Sequence, residues 1–322
     1  MIEVGLGLRG DLPPGAYRDL GVAAEAAGFD VLSVFGDLGF GLPLPALLLA
    51  AVETSRIRLG PACLNPYTTH PIEVAGQVAA LDHLSDGRAY LGLARGAWLD
   101  RIGLETPRPL CAIREAHEVV SRLLAGDDRG FEGHVFRIRP GLRLRQPVLR
   151  PVVPLLIGTW GERLTALAAE IGDELKIGGS ARPAMAALAR RRLAEARTKV
   201  VMGAVTVVDE DGARARRAAK AEALMYLDVV GGIDPSGVVE PELRARLRQL
   251  VEAGEPEAAA ALIPDEVLLR YAFAGTPAEV AAQAEELFTT GVQRVDFGQP
   301  LAVDGVARGL DLLGRELLPR LR

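Results

Sequence analysis

The feature that most constrains the fold is an alternation, repeated eight times, between a short apolar run and a longer stretch with helical periodicity. Continuous apolar runs of this length are typical of strands that are buried on both faces, as in a parallel sheet. Eight such pairs are what a closed barrel requires, so the sequence predicts an α/β fold, the (β/α)8 TIM barrel. The predicted strands are residues 4–8, 31–35, 57–62, 89–94, 154–158, 174–178, 200–208 and 294–298.

Uneven spacing shows where this barrel carries extra segments. One domain is predicted over residues 1–322, with insertions at about 99–153, after the fourth strand, and at about 209–271, after the seventh. The first contains a hairpin-like piece at residues 131–147. The second is helical, and its apolar stripes would be left exposed on a solvated arm. We therefore expect it to pack over the barrel mouth or against a second subunit. The stripes are Leu224, Leu227 and Val230, and Leu243, Leu247 and Leu250.

Composition excludes several classes of function. With 322 residues and 49% hydrophobic content, the chain can bury a large core. Its net charge of -5 is distributed without a basic field, which argues against nucleic acid as a partner. No basic leader precedes an apolar core, and no apolar run reaches the ~20 residues of a spanning helix, so we expect a cytoplasmic protein without membrane contact. Two cysteines and four scattered histidines give no disulfide framework and no metal-ligand spacing.

A literal G-x-G-x-x-G pattern at residues 5–10 raises the possibility of a dinucleotide-binding turn. Its first two glycines lie inside the first predicted strand, and two prolines delay the following helix. No helix therefore begins where a pyrophosphate would need it. We expect these glycines instead to admit a cofactor or a bulky facing side chain close to the strand.

The chemistry of a TIM barrel lies at the carboxyl ends of its strands. Residues 157–164 combine a Gly-containing loop with the start of a helix, an arrangement that attracts anions through free amides and the helix dipole. Residues 176–180 lie one strand further and offer more amides, and Arg95 adds a cation. Any one of these glycines alone would indicate only a turn. Together, on neighbouring strand ends, they predict a phosphate site.

Residues 60–71, GPACLNPYTTHP, are an unusual end for a barrel strand. Together with residues 84–98, 153–179 and 274–298, they resemble the bacterial-luciferase-like superfamily, and most closely its coenzyme F420-dependent, methylene-tetrahydromethanopterin reductase-like branch. The resemblance extends from about Glu3 to Pro319 and is weakest over the second insertion.

The resemblance explains the unusual strand end. It implies a bulge with a non-prolyl cis peptide at Ala62-Cys63, next to Leu64 and Asn65, which supports the deazaflavin ring of F420. Cys63 could also be only a small buried hydrophobe. The resemblance places Asp37 near the polar edge of the ring as the catalytic candidate; an Asx turn is its alternative role.

Further cofactor-binding residues follow from the same resemblance. Arg95 matches a position that binds the flavin phosphate in luciferases. His70 matches a family histidine, for which we expect a packing role. The remaining contacts, to the phosphate and tail, are implied for Thr159, Trp160, Gly161, Gly178, Gly179 and Ser180.

Two departures from the family bear on the reaction. The sugar-phosphate dehydrogenases of this branch have a histidine after the aspartate and a glutamate after the fourth strand, where this chain has Leu38 and then Ala97 and Trp98. Without that pair, oxidation of an alcohol lacks its proton acceptor. The resemblance therefore implies hydride transfer between F420 and an electron-poor carbon of a small organic substrate.

Two alternatives remain open from the sequence. The first keeps the fold and exchanges the cofactor for FMN, which with molecular oxygen would make a two-component monooxygenase. The second is a flavin-binding protein without catalysis.

An apolar outer helix at residues 43–53 also predicts a homodimer contact.

Overall fold

The structure is a computed structural model that describes residues 2–235 and 239–322. Its strands are β1 (Glu3–Leu8), β2 (Val31–Val34), β3 (Arg58–Pro61), β4 (Leu91–Ala94), β5 (Phe131–Glu132), β6 (Arg137–Ile138), β7 (Leu155–Gly158), β8 (Glu174–Gly178), β9 (Lys199–Val208), β10 (Ala272–Gly275) and β11 (Arg294–Ala302).

The α-helices are α1 (Pro14–Ala27), α2 (Pro43–Ala51), α3 (Pro71–Leu84), α4 (Pro109–Leu124), α5 (Glu162–Ile171), α6 (Pro183–Leu193), α7 (Gly212–Val230), α8 (Pro241–Glu252), α9 (Pro256–Ala261), α10 (Asp265–Tyr271), α11 (Pro277–Thr289), α12 (Val306–Leu312) and α13 (Leu318–Leu321). A 3-10 helix spans Leu99–Ile102, and a π-helical turn spans Leu313–Leu317. None of the described helices has both the length and the apolar character needed to cross a bilayer.

Parallel strands form a closed barrel. They are hydrogen-bonded in the order β3, β2, β1, β11, β9, β8, β7, β4. Bridges from Leu59 to Ala89 and from Leu64 to Leu93 join β3 to β4 and complete the ring. The predicted TIM barrel is confirmed, and each of the eight predicted strands is one of the eight strands of the barrel.

One strand was missed by the sequence analysis. The segment β10 pairs in parallel with the upper half of β9, where Ala272 lies opposite Val205 and Gly275 opposite Val208. Its four residues include no β-branched side chain and follow a helix directly, so local preference did not mark them as a strand. The predicted hairpin does form, because β5 and β6 pair antiparallel.

Helix boundaries follow the signals in the sequence. The helix α1 begins at Pro14, and its C-cap Gly28 adopts the left-handed conformation that glycine favours, with φ 98°. The helix α3 begins at Pro71, after the N-cap His70, whose Nδ1 accepts a hydrogen bond from the Ile72 amide. The ring of His70 also packs edge-on against Phe136. The packing role expected for His70 is confirmed.

Glycines in β1 make room for side chains of neighbouring strands. A Cβ on Gly7 would lie 2.5 Å from the Phe35 ring, and one on Gly5 would overlap the Asp296 carboxylate. The helix that follows β1 begins only at Pro14. The pattern at residues 5–10 therefore serves packing inside the barrel.

The second insertion folds over the barrel mouth. Leu227 and Val230 of α7 are buried, as are Leu247 and Leu250 of α8. An ion pair of 2.7 Å between Arg9 Nη1 and Glu222 Oε2 joins the middle of α7 to the loop after β1. Of the two positions expected for this insertion, the structure shows the one over the barrel mouth.

Candidate active site

A cavity of about 1250 Å³ opens at the carboxyl ends of the barrel strands. This exceeds the roughly 300–1000 Å³ of typical ligand pockets, so the cavity is large for a single small ligand. Loops after β2, β3, β4 and β7 form one part of its wall, and the end of α7 forms another. Most of the predicted site residues line this cavity: Asp37, Ala62, Cys63, Asn65, Arg95, Thr159, Trp160, Gly161, Gly178 and Gly179.

The peptide bond between Ala62 and Cys63 is cis, as the resemblance implied. Glycines accommodate it on both sides, because a Cβ on Gly36 would overlap the Cys63 carbonyl and one on Gly158 would lie 2.8 Å from the Cys63 Sγ. Burial raises the pKa of the Cys63 thiol to about 12. The thiol therefore stays protonated at neutral pH and acts as a small packed group, while the backbone of the same residue lines the cavity.

Residues 64 and 65 face opposite sides of the wall. Asn65 lines the cavity, and its Oδ1 accepts hydrogen bonds from the amides of Tyr67 and Thr68 at 3.2 and 3.0 Å. The Leu64 side chain is buried in the hydrophobic core instead. Leu64 was predicted to bind the cofactor next to the cis peptide, but it does not line the cavity, because its side chain packs in the core and its backbone bonds to Gly92 and Ala94.

Asp37 is a half-buried carboxyl group in the cavity wall. Burial raises its pKa from the ordinary 3.8 to about 6, although the cations Lys176 and Arg9 act in the opposite direction. Its carboxylate accepts no hydrogen bond from the residues that the structure describes, so the alternative role in an Asx turn is not observed. A carboxyl group with a pKa near neutrality can both accept and release a proton under physiological conditions.

The loop before α5 is only partly open to an anion. The Gly161 amide already donates to Thr159 Oγ1 at 2.9 Å, and Trp160 Nε1 donates to the Gly178 carbonyl at 2.8 Å. The helix α5 has no side-chain cap, so amides of its first turn remain available. Within the described part of the chain, three cavity-lining guanidinium groups form no ion pair: Arg95, Arg108 and Arg163.

The amides after β8 do not contribute as predicted. The Gly179 and Ser180 amides both donate to the Gly203 carbonyl, at 2.6 and 3.1 Å. Ser180 is also fully buried and does not line the cavity. Its predicted contact with the cofactor tail is therefore corrected, whereas Gly178 and Gly179 keep their place in the wall.

Sequence reasoning missed a lysine at the cavity floor. Lys176 lines the cavity from inside the barrel, and its Nζ lies 2.5 Å from Asp296 Oδ2. The sequence does contain a signal for this lysine, because charged residues alternate with apolar ones in both β8 and β11. This alternation places Glu174 and Lys176 on the same face of β8, and Arg294 and Asp296 on the same face of β11. Both charged faces point into the barrel and meet there.

The helix α7 contributes residues that were also not predicted. One side of the cavity is lined by Tyr226, Val229 and Val230 of α7 and by Ile233, just beyond the end of the helix. Burial raises the pKa of the Tyr226 hydroxyl, and the nearby Asp37 carboxylate adds to the effect. The hydroxyl therefore remains protonated at neutral pH.

A parallel barrel with a cavity at the carboxyl ends of its strands, and a carboxyl group of raised pKa in the cavity wall, has the architecture of a TIM-barrel enzyme. Its family is shown by comparison: the chain belongs to the luciferase-like monooxygenase family, whose model matches residues 2–294.

Similar proteins are F420-dependent oxidoreductases. A 5,10-methylenetetrahydromethanopterin reductase from Archaeoglobus fulgidus is 30% identical over 319 residues, covering 93% of each chain. An F420-dependent glucose-6-phosphate dehydrogenase from Beutenbergia cavernae is 30% identical over 349 residues, covering 98% of this chain and 97% of that protein. The solved structure of the coenzyme F420 dependent tetrahydromethanopterin reductase from Methanopyrus kandleri has a TM-score of 0.90 at 25% identity, covering 100% and 99% of the two chains. The resemblance inferred from the sequence is confirmed.

Proposed function

We propose that the protein is an oxidoreductase that transfers a hydride between coenzyme F420 and a small organic substrate. The observation that carries this proposal is the open backbone at Gly178, at the end of β8 on the cavity floor, which Gly158, Gly203 and Gly298 of neighbouring strands also line. Because Gly178 has no Cβ atom, a flat ring can approach the backbone closely there. No atom lies within 4 Å of the position that a Cβ on Gly178 would take, so this space is open to a ligand.

The charges around the cavity support an anionic cofactor tail. Arg95, Arg108 and Arg163 lie on the side formed by β4, α4 and α5. Guanidinium groups bind phosphate and carboxylate oxygens with two parallel hydrogen bonds. In the proposal, these side chains and the first turn of α5 hold the phosphate and tail of F420.

When bound, F420 supplies the chemistry of a two-electron hydride carrier. The chain positions the reactants and excludes water. In the proposal, Ala62, Cys63 and Asn65 support one side of the ring, and Trp98 forms part of the cavity wall in the loop after β4. Asp37 holds or accepts a proton, because its pKa of about 6 allows both states near neutral pH.

The relatives act on different substrates, and the cavity favours one kind. Leu38 follows Asp37, and Ala97 and Trp98 line the cavity after β4, so the acid-base pair expected for alcohol oxidation is missing at those positions. We therefore propose an electron-poor carbon as the hydride partner. The first compound to test is 5,10-methylenetetrahydromethanopterin, which the A. fulgidus relative is named for.

Titration of the purified protein with F420 and with FMN tests the cofactor. We expect F420 to bind and Gly178→Val to abolish binding, because the added side chain fills the open space. Gly15→Val is the matched control, since no atom lies within 4 Å of the Cβ position there either and Gly15 is on the surface helix α1. Preferential binding of FMN, with oxygen consumed on reduction, would favour the monooxygenase alternative. Binding of F420 without turnover of any substrate would favour the non-catalytic one.

The expected assembly and location are also part of the proposal. Much of the apolar face of α2 packs within the chain, since Ala46, Leu47 and Ala50 are buried there. Leu42 and Val52, at its two ends, are exposed hydrophobic residues and support the predicted homodimer contact. Light scattering of the purified protein tests the homodimer, and fractionation of the source cells tests the cytoplasmic location.

A further inference from the structure

Lys176 is the one buried ammonium group that reaches the floor of the cavity in the described chain. Its side chain is 7% exposed, and its Nζ forms an ion pair of 2.5 Å with Asp296 Oδ2. An ammonium group has three N–H donors. Only the bond to Asp296 is formed with the residues that the structure describes. Two donors therefore remain for a ligand in the cavity.

Lys176 is the upper end of a chain of buried ion pairs. Asp296 Oδ1 lies 2.9 Å from Arg294 Nε, and Arg294 Nη1 lies 2.6 Å from Glu174 Oε2. Glu174 Oε1 in turn lies 2.7 Å from Arg58 Nη2 at the base of the barrel. Lys176 and Asp296 both line the cavity, and the alternating pairs below them hold the Lys176 ammonium group in a fixed position at its floor.

The neighbours of Lys176 place its charge beside the proposed ring site. Its Nζ lies 5.6 Å from the centroid of the Phe35 ring at the end of β2. Among charged groups, Lys176 is also the strongest influence that lowers the pKa of Asp37 and of Cys63 against the effect of burial. The ammonium group is thus close both to the carboxyl group proposed to handle the proton and to the cis peptide in the wall.

We propose that Lys176 contacts the cofactor ring and binds the reduced ring more tightly than the oxidised one. The inference rests on the proposed function. A hydride carries one negative charge, so a ring that accepts it gains one negative charge unless a proton follows. A fixed cation in a buried site attracts that added charge strongly, because little water screens it. Lys176 would accordingly make the bound cofactor easier to reduce.

A purely structural role for Lys176 accounts for less of the geometry. Asp296 also pairs with Arg294, which it shares with Glu174, so Lys176 is one of two buried cations beside that carboxylate. Inward-facing positions of TIM-barrel strands are dominated by bulky apolar residues. A ligand that accepts hydrogen bonds from the two remaining N–H groups would account for a lysine at this position.

The test compares dissociation constants of oxidised and reduced F420, measured anaerobically by absorbance, for the wild type and for variants. Lys176→Met is expected to weaken binding of the reduced form by about tenfold more than binding of the oxidised form. Lys176→Arg retains the charge and should retain the preference. Lys199→Met is the matched control, since Lys199 pairs with Glu3 at the opposite end of the barrel and is 45% exposed.

Each result of this comparison supports or overturns the inference. Equal weakening of both forms, or a lower melting temperature with an unchanged ratio, would assign Lys176 a structural role and overturn it. If Lys176→Met does not fold, the double variant Lys176→Met, Asp296→Asn replaces it, because it removes the ammonium group without leaving an excess buried charge. The same change is then expected in the ratio of the two dissociation constants. Failure of the wild type to bind either form would overturn the proposed function and the inference with it. An unchanged ratio in the variant, where the wild type does bind F420, would overturn the inference alone.

Discussion

At the scale of single residues, the site depends on groups whose properties are set by burial. Asp37 has a raised pKa because the cavity wall removes water from its carboxyl group. Cys63 has a raised pKa for the same reason, and its sulfur contacts the position where Gly158 lacks a side chain. Burial thereby makes Asp37 available for proton exchange near neutral pH and keeps the Cys63 thiol protonated and unreactive.

Asp37→Asn is expected to stabilise the protein at pH 7.5 and to leave its stability nearly unchanged at pH 4. A carboxyl group whose pKa is raised from 3.8 to about 6 stabilises the fold below pH 3.8, and this contribution is lost as the pH rises through 6. The gain in melting temperature at pH 7.5 should be about 1–3 °C. Thermal melts at both pH values check it, with Asp100→Asn, an exposed aspartate, as control. An equal gain at both pH values would contradict the expectation.

Gly158→Ala is expected to destabilise the protein by about 1–3 kcal/mol, because the new methyl group would lie 2.8 Å from the Cys63 sulfur. Cys63→Ala removes that sulfur, so the double variant should recover most of the loss. Urea unfolding of the two single variants and the double variant measures the coupling. Gly178→Ala, at the end of the next strand and facing open space, should stay within about 0.5 kcal/mol of the wild type. Additive effects of the first two changes would refute the contact.

At the scale of secondary-structure elements, two kinds of segment build the cavity. Barrel strands and their short end loops form the floor, where glycines and the ion-paired Lys176 are fixed by the sheet. The helix α7 forms a side wall and is attached at its middle by the Arg9–Glu222 ion pair. The floor is therefore held by a continuous network of backbone hydrogen bonds, and the wall by packing and a small number of polar contacts.

Glu222→Gln is expected to speed amide hydrogen exchange in α7 while leaving the barrel strands unchanged. The pair is partly buried, with 15% and 33% of the two side chains exposed, so its loss should cost about 1 kcal/mol. Mass spectrometry of peptides from residues 212–230 measures the effect. Glu170→Gln breaks the exposed pair with Arg114 and should not change exchange in α7. Unchanged exchange there in the Glu222→Gln variant would show that packing alone holds the helix.

At the scale of the whole molecule, the barrel interior is stabilised by ion pairs as well as by apolar packing. Burial alone would raise the pKa of Glu174 and of Asp296, but Arg294 and the other cations of the chain lower both below the ordinary range. Carboxylates of this kind contribute stability that is present above their ordinary pKa and is lost as the pH falls toward the lowered value. We therefore expect the melting temperature of the wild type to fall steeply below about pH 4.

Arg294→Met is expected to cost about 3–5 kcal/mol at pH 7, because it removes the buried cation that Glu174 and Asp296 share and leaves each carboxylate with one cationic partner. The cost should be smaller at pH 4.5, where those carboxylates can take up protons in the variant. Urea unfolding at both pH values measures the difference. Arg315→Met, which removes an arginine that is 80% exposed, should change stability by less than about 0.5 kcal/mol. A pH-independent loss would indicate that packing volume, not charge, is responsible.

The sequence predicted the barrel well because its strands are short apolar runs, a pattern that buried parallel strands require. It missed β10, because three of its four residues are Ala or Gly, which strands disfavour. It also placed Leu64 and Ser180 in the site, since adjacency along the chain does not determine which side of a wall a side chain faces. The ion chain of Lys176 was missed because its pairs join positions about 120 residues apart, and only the folded sheet brings them together.

The attachment of α7 between β9 and β10 has a consequence for how new specificities could arise. One contiguous stretch of the gene encodes a side of the chamber, while the glycine floor and its cation are encoded elsewhere. Recombination that exchanges this stretch would give the same redox machinery a different substrate range in a single step. The redox floor and the α7 wall can therefore vary independently of each other.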